Sequence, residues 1–259
     1  YGQDTTVIAR LDTKTHSITS YPYKTQTFKI SDILLNLGVL EFDADGTVWL
    51  RDDMGNVRVF NRKKDSFELV IPSGAEIPGS GIKDTIQSII KGNNEHFLLN
   101  GQLGFYIWDP VKRESVKSYT NLDKKDLSFS EGKQKFLFDE NKFRFAFEDK
   151  QGHYWAQFED GILHMIDPLN NSIQKLTFGE GLPDLSNMPK DSEKLMPIFQ
   201  NLSGIWFLIY DSFLTEFYGF LYYKYETNSF TYYDGKFNDR KNLMSSRFYR
   251  MIEDQTGLL

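Results

Sequence analysis

The strongest constraint on this chain is that it repeats itself. "DADGTVWLRDDMGNVRVF" (43–60) and "DKQGHYWAQFEDGILHMI" (149–166) follow one plan: an Asp-x-x-Gly turn, a Trp three residues on, then two short runs of strand-forming residues. When Gly46 is set against Asn94, Gly152, Ser203 and Gly257, the steps are 48, 58, 51 and 54 residues. Trp49, Phe97, Trp155 and Trp206 then fall in one column. A period of this length marks a repeat architecture, and the content of one unit decides which.

Each unit holds four strand-sized runs. The third reads "FRFAFED" (143–149), "HYWAQF" (153–158), "GILHMID" (161–167) and "SIQKLTF" (172–178). The first gives "GVLEFDA", "TVWLRD", "NVRVFN" and "SFELVI"; the second "TIQSIIK", "HFLLN", "GFYIWDP" and "SVKSY"; the fourth "KLMPIFQ", "GIWFLIY", "GFLYYKYE" and "SFTYY". The runs are rich in β-branched and aromatic residues and bounded by Gly, Asp, Asn or Pro. In the Asp-x-x-Gly step, Asp stabilises the first turn position and Gly tolerates positive φ.

Four short antiparallel strands per unit are the pattern of an all-β fold, a β-propeller built of four-stranded blades. One such blade cannot cover both its faces, so blades pack on one another around an axis. The recurring Trp then reads as a wedge between blades. The chain is expected to be a single propeller segment over 1–259, with full units at 37–71, 84–120, 143–178 and 194–233. Partial units fall at 1–30, where "TTVIARLDTKTHSITSY" resembles third and fourth strands, and at 247–259, a first strand and its turn. These fragments do not add up to a whole blade, so a piece of a longer propeller is expected. The stretches 72–84, 120–135, 179–193 and 234–242 read as loops from the outer edge of one blade to the inner strand of the next. "SDILLNLG" (31–38) is the one candidate helical turn.

Composition narrows the function. The 259 residues carry a formal charge of −6 and form no long Lys/Arg cluster, against what a nucleic-acid binder needs to displace counterions. With no cysteine, disulfides, thiolate catalysis and Cys-ligated zinc drop out. No run nears the roughly 18 apolar residues of a membrane span, so neither nucleic acid nor membrane is an expected partner of this segment.

Motifs for chemistry are sparse. "DADG" opens like a calcium loop, but its twelfth position is Met54, not Glu. The four histidines, His16, His96, His153 and His164, share no metal-ligand spacing, so no metal and no cofactor is expected. Glu148–Asp149 and Glu253–Asp254 are paired acids at equivalent places in two units, which reads as architecture rather than a single catalytic cleft. Propeller ligands generally meet the face made by second-to-third strand loops, here 51–55, 100–104, 157–161 and 210–219. Arg51, Asp52, Asn100, Gln102, Gln157 and Glu159 are candidate rim residues for hydroxyl or charge binding, with Tyr210, Phe213 or Phe217 to stack on a sugar ring. Solvated loop tips are the plain alternative.

The units resemble the two-component regulator propeller repeat, D-x-x-G-x-[LI]-W-[IL]-G-T-x-x-G-L-x-x-[YF]-[DN]-P-x-x-x-x-[FI]. "DADGTVWLRDDMGNVRVFNRKKDSF" and "DKQGHYWAQFEDGILHMIDPLNNSI" carry it best, and "EDQTGLL" is its opening. The usual Gly-Thr after the Trp is Arg51–Asp52 in one unit and Gln157–Phe158 in another. The resemblance implies the periplasmic sensor half of a hybrid two-component regulator: two seven-bladed propellers, a β-sandwich, a membrane helix, a histidine kinase, a receiver and a DNA-binding module. It implies an oligosaccharide ligand, a sensor dimer partner and further blades, and no catalysis by this segment. Two rivals stay open: a propeller enzyme of lyase or hydrolase type, and a protein-interaction propeller without a small ligand.

Overall fold

The computed structural model of the chain describes residues 6–23, 40–120, 135–137, 143–158, 163–170, 172–176, 194–210 and 217–234. They form strands and turns and, among the described residues, no helix. The candidate helical turn at 31–38 and the partial unit at 247–259 lie outside them.

An N-terminal hairpin pairs β1 (Thr6–Leu11) with β2 (Ile18–Tyr23). The first blade is β3 (Leu40–Phe42), β4 (Val48–Arg51), β5 (Val57–Asn61) and β6 (Ser66–Ile71), antiparallel in chain order. A small hairpin follows, β7 (Glu76–Ile77) with β8 (Ile82–Lys83). The second blade is β9 (Ser88–Lys91), β10 (Phe97–Asn100), β11 (Gly104–Asp109) and β12 (Glu114–Thr120). A fifth strand, β13 (Lys135–Leu137), adds to its outer edge in parallel. The third blade is β14 (Phe143–Glu148), β15 (Tyr154–Phe158), β16 (Leu163–Asp167) and β17 (Ser172–Leu176). The fourth is β18 (Lys194–Gln200), β19 (Gly204–Tyr210), β20 (Phe217–Lys224) and β21 (Ser229–Asp234). The four full units are thus four-stranded meanders, as the sequence predicts. Two linkers differ from that reading. The stretch at 72–84 is not plain loop: Ile77 and Ile82 of its hairpin are buried in the core between blades one and two. The stretch ending at residue 135 leads into the edge strand β13.

The faces of each sheet explain why one blade is not enough. On β10 and β11, Phe97, Leu99, Tyr106 and Trp108 face the first blade, while Leu98, Phe105 and Ile107 face the third. Every residue of β10 is buried, as expected when both faces of a sheet are covered. A third core joins Phe147, Trp155 and Leu163 to Leu195, Ile205, Phe207, Ile209, Leu221 and Tyr223 of the fourth blade. The cores lie between sheets, which is the packing of a β-propeller.

The tryptophan column holds with one correction. Trp49 faces onward to Phe97 and Trp108 of the next blade, with ring centroids 5.7 and 6.3 Å apart. Trp155 faces onward to Phe207 (5.8 Å) and Tyr223 (4.8 Å). Phe97 does not belong in that column. The turns close through Asp43 N–H to Thr47 O, Gly92 N–H to His96 O and Asp149 N–H to His153 O. Counting six residues from Asp43, Gly92 and Asp149 reaches Trp49, Leu98 and Trp155. Leu98 is therefore the onward residue of the second blade, and Phe97 looks back, because neighbouring strand residues point to opposite faces.

The Asp of the turn does two tasks. Asp43 accepts the Thr47 backbone N–H and, through its other oxygen, the Trp49 indole N–H at 3.0 Å. Asp149 repeats this with His153 N–H and Trp155 at 2.8 Å. The carboxylate locks both the turn and the indole it feeds. Gly46 (φ 68°) and Gly152 (φ 87°) supply the left-handed residue the turn requires.

Candidate ligand-facing rim

Antiparallel pairing places the ends of second strands beside the starts of first strands: Leu40 pairs Leu50, Ser88 pairs Asn100, and Phe143 pairs Phe158. The second-to-third loops and the segments entering each blade therefore share one end of the assembly. Most of the side chains predicted to form the rim stand here, but their polar atoms are largely engaged.

Asn100 is 0% exposed. Its amide donates to Ser88 Oγ (2.9 Å) and to Ala146 O (3.0 Å), and its oxygen accepts Ala146 N–H at 2.9 Å. It thus joins the second blade to the first strand of the third. Gln157, 1% exposed, does the same one blade later: its amide donates to Leu195 O and accepts from Leu195 N, both at 3.2 Å. Half-buried Arg51 donates its Nε–H to Ile86 O (3.2 Å), just ahead of β9. Arg51, Asn100 and Gln157 each stand eight residues beyond the residue that opens the turn. One position of the repeat therefore clips successive blades together.

Asp52 is buried and turned inward. It accepts from Met54 N, Asn56 N and both its oxygens meet Asn56 Nδ2, while Arg58 Nε approaches at 3.0 Å. Gln102 alone of the described rim set is exposed, and its backbone N–H bonds Asp84 Oδ1 at 3.0 Å. Glu159 lies outside the described residues, as do Phe213 and the side chains of Tyr210 and Phe217.

Two residues at this end escaped the sequence reading. Asp84 is buried and braces the 100–104 loop through Gln102 N, Leu103 N (3.1 Å) and the Tyr106 hydroxyl (2.8 Å). Burial, then the nearby Asp84 charge, pushes the Tyr106 phenol well above its ordinary value, so it remains a donor. Arg144 is the other, a single cation inside the aromatic run "FRFAF". That lone charge was the available signal.

Two of the histidines are elsewhere, while buried His164 stands on β16 opposite Ala156, next to the Leu163 that pairs Gln157. His96 Nε2 lies 2.9 Å from Glu148 Oε2, and His153 Nδ1 lies 3.1 Å from Asp149 Oδ2, both at the opposite end of the blades. Among the described residues no group of three or more potential metal ligands comes together.

No family model and no curated protein matches the chain. Among solved structures, the extracellular domain assigned to a hybrid two-component system of B. thetaiotaomicron is similar at 18% identity and TM-score 0.55, covering 96% of this chain and 28% of that one. Virginiamycin B lyase from Staphylococcus aureus is similar at 12% identity and TM-score 0.54, over 90% of this chain and 64% of the enzyme. PorZ, a surface component of the type-IX secretion system of Porphyromonas gingivalis, is similar at 12% identity and TM-score 0.53, over 93% of this chain and 33% of PorZ. This chain spans less than two thirds of each of these proteins. At such identities the shared property is architecture: the chain is built as a β-propeller.

Proposed function

We propose that this chain is a non-catalytic, ligand-sensing propeller segment from the extracytoplasmic part of a hybrid two-component regulator. Its ligand is an oligosaccharide, and the signal passes to a histidine kinase elsewhere in the parent. The observation that carries the reading is the repeat itself, Asp-x-x-Gly with its onward Trp. It resembles the two-component regulator pattern, and its blades align with a two-component extracellular domain over 96% of this chain. In this reading the whole propeller has seven blades, the segment works in the periplasm, and it acts within a dimer. A ligand that prefers one arrangement of propeller and neighbouring domain shifts the population toward it.

The lyase-like fold favours a second reading, a propeller enzyme. A histidine-to-alanine variant of the Staphylococcus aureus lyase is catalytically inactive. In this chain none of the four histidines falls in a second-to-third loop or in a between-blade stretch, which weighs toward the sensor. Calorimetric titration of the full ectodomain with a broad panel of defined oligosaccharides tests the proposal. Saturable binding without turnover supports it; silence across the panel, or product formation, overturns it.

A further inference from the structure

We propose that Arg144 is an anion-binding residue at the rim, specific for the carboxylate of an acidic saccharide. Its place in the fold comes first. β14 is the first strand of its blade and packs against β10 and β11 of the preceding one. Its pairing with β15 slips at one point: Phe143 pairs Phe158 and Phe145 pairs Gln157, so Arg144 is the extra residue of a β-bulge. The bulge returns Phe143 to the face of Ala146, both packing toward the second blade. It also takes Arg144 out of the alternation that would bury it in a core. Bulges commonly re-aim a side chain beside a functional site. This one lies at the end of the blade that carries the second-to-third loops, two residues before the Ala146 that Asn100 clips.

Its bonding comes second. Arg144 is half-buried, and its Nε is sealed from solvent without a hydrogen-bond partner. A guanidinium cannot shed its proton, so sealing one of its N–H donors without a partner is costly. Among the described residues, the buried acids Asp52, Asp84 and Glu148 are engaged with other partners. Asp52 holds Arg58 and Asn56. Asp84 holds Gln102, Leu103 and Tyr106. Glu148, at the far end of β14, holds the Asn93 N–H at 2.7 Å and His96. A cost of this kind is retained where function needs the group. The planar fork of Arg matches the two oxygens of a carboxylate, a stronger bond than a neutral sugar hydroxyl offers.

The ligand class rests on the sensor reading above, and the experiment separates the two. The full chain and its Arg144→Met and Arg144→Lys variants are titrated with tri-galacturonate, tri-mannuronate, methyl-esterified tri-galacturonate and inorganic sulfate. The expected result is saturable binding of a uronate, weakened about tenfold or more by esterification and by Arg144→Met, and less by Arg144→Lys. Without ligand, Arg144→Met melts at the same or a higher temperature, since it removes a donor sealed from solvent without a partner. A melting point lowered by several degrees would assign Arg144 a structural partner and overturn the proposal, as would uronate binding that ignores the substitution. Sulfate binding that depends on Arg144, with no uronate bound, keeps the anion site but overturns the saccharide class. Binding of the methyl ester alone overturns this inference and leaves the sensor reading standing. No binding of any anionic probe overturns it.

Discussion

Asn100 has two donors and two acceptor lone pairs, and three of these capacities are used on Ser88 and Ala146. In sequence such a residue at a strand end looks the same whether it faces a sugar or a neighbouring backbone. The difference lies in what the next blade brings beside it. Arg51, Asn100 and Gln157 were legible as polar strand-end residues. The step of eight from the turn was legible for Arg51 and Gln157, while the sequence register set Asn100 at nine and only the Gly92 turn brings it into line. The regularity points to architecture, since a ligand contact has no reason to recur in every blade. Asn100→Ala leaves the Ala146 N–H and C=O buried without partners. It is expected to destabilise the chain by about 2–3 kcal/mol, with Gln102→Ala within about 0.5 kcal/mol as the exposed control. Urea unfolding checks both, and equal midpoints for the two variants would remove the clip from the account.

Strands and their turns were the most readable level, because alternation and turn chemistry are local. The four full blades follow the predicted runs with ends shifted by up to three residues. The elements that were missed are very short: β7 and β8 have two residues each and β13 has three. So few residues show no period, and β13 depends on an edge that only the folded β12 supplies. The misaligned Phe97 has a similar origin. "KGNNEH" holds no Gly at the place of Gly46, and Asn94 (φ 54°) and Glu95 (φ 62°) take left-handed conformations instead. Glu95, three residues after Gly92, is the structural counterpart of Gly46. Glu95→Gly relieves the strain of an L-residue there and gives up only an exposed pair with Lys91. A net gain of about 0.5 kcal/mol is expected, read as a small rise in melting temperature. A fall of a degree or more would mean that the turn is not strained.

Across the whole molecule, aromatic cores between blades carry tyrosines into dry surroundings. Burial pushes the phenols of Tyr106, Tyr119, Tyr154, Tyr223 and Tyr225 above their ordinary range, with nearby acids adding to the effect. The unfolded chain ionises these groups near pH 10 while the folded chain keeps them neutral. Their stabilising contribution is therefore complete below about pH 10 and is lost as pH rises further. Melting temperature is expected to show no loss from this source between pH 7 and 9, then to fall steeply above 10. Tyr154→Phe should make that fall shallower, and an unchanged slope would show that Tyr154 titrates normally. The neighbour relation of blades was legible from the repeat, but which side chains meet was not, since it depends on the faces each strand presents.

One large apolar residue that looks onward, Trp49, Leu98 and Trp155 in turn, gives these blades a direction. At one end of the described series stand Trp206, Tyr222 and Tyr233, with Trp206 and Tyr222 stacked at 4.6 Å. At the other stand Leu40, Phe42 and Leu69, all exposed. The two surfaces are not copies of each other, so contact between them is heterologous and cannot be generated by a two-fold axis. Blade number is then a matter of rotation rather than of chemistry. The same junction, repeated, closes into a ring only when the turn per blade divides the circle, and otherwise it winds on as an open spiral.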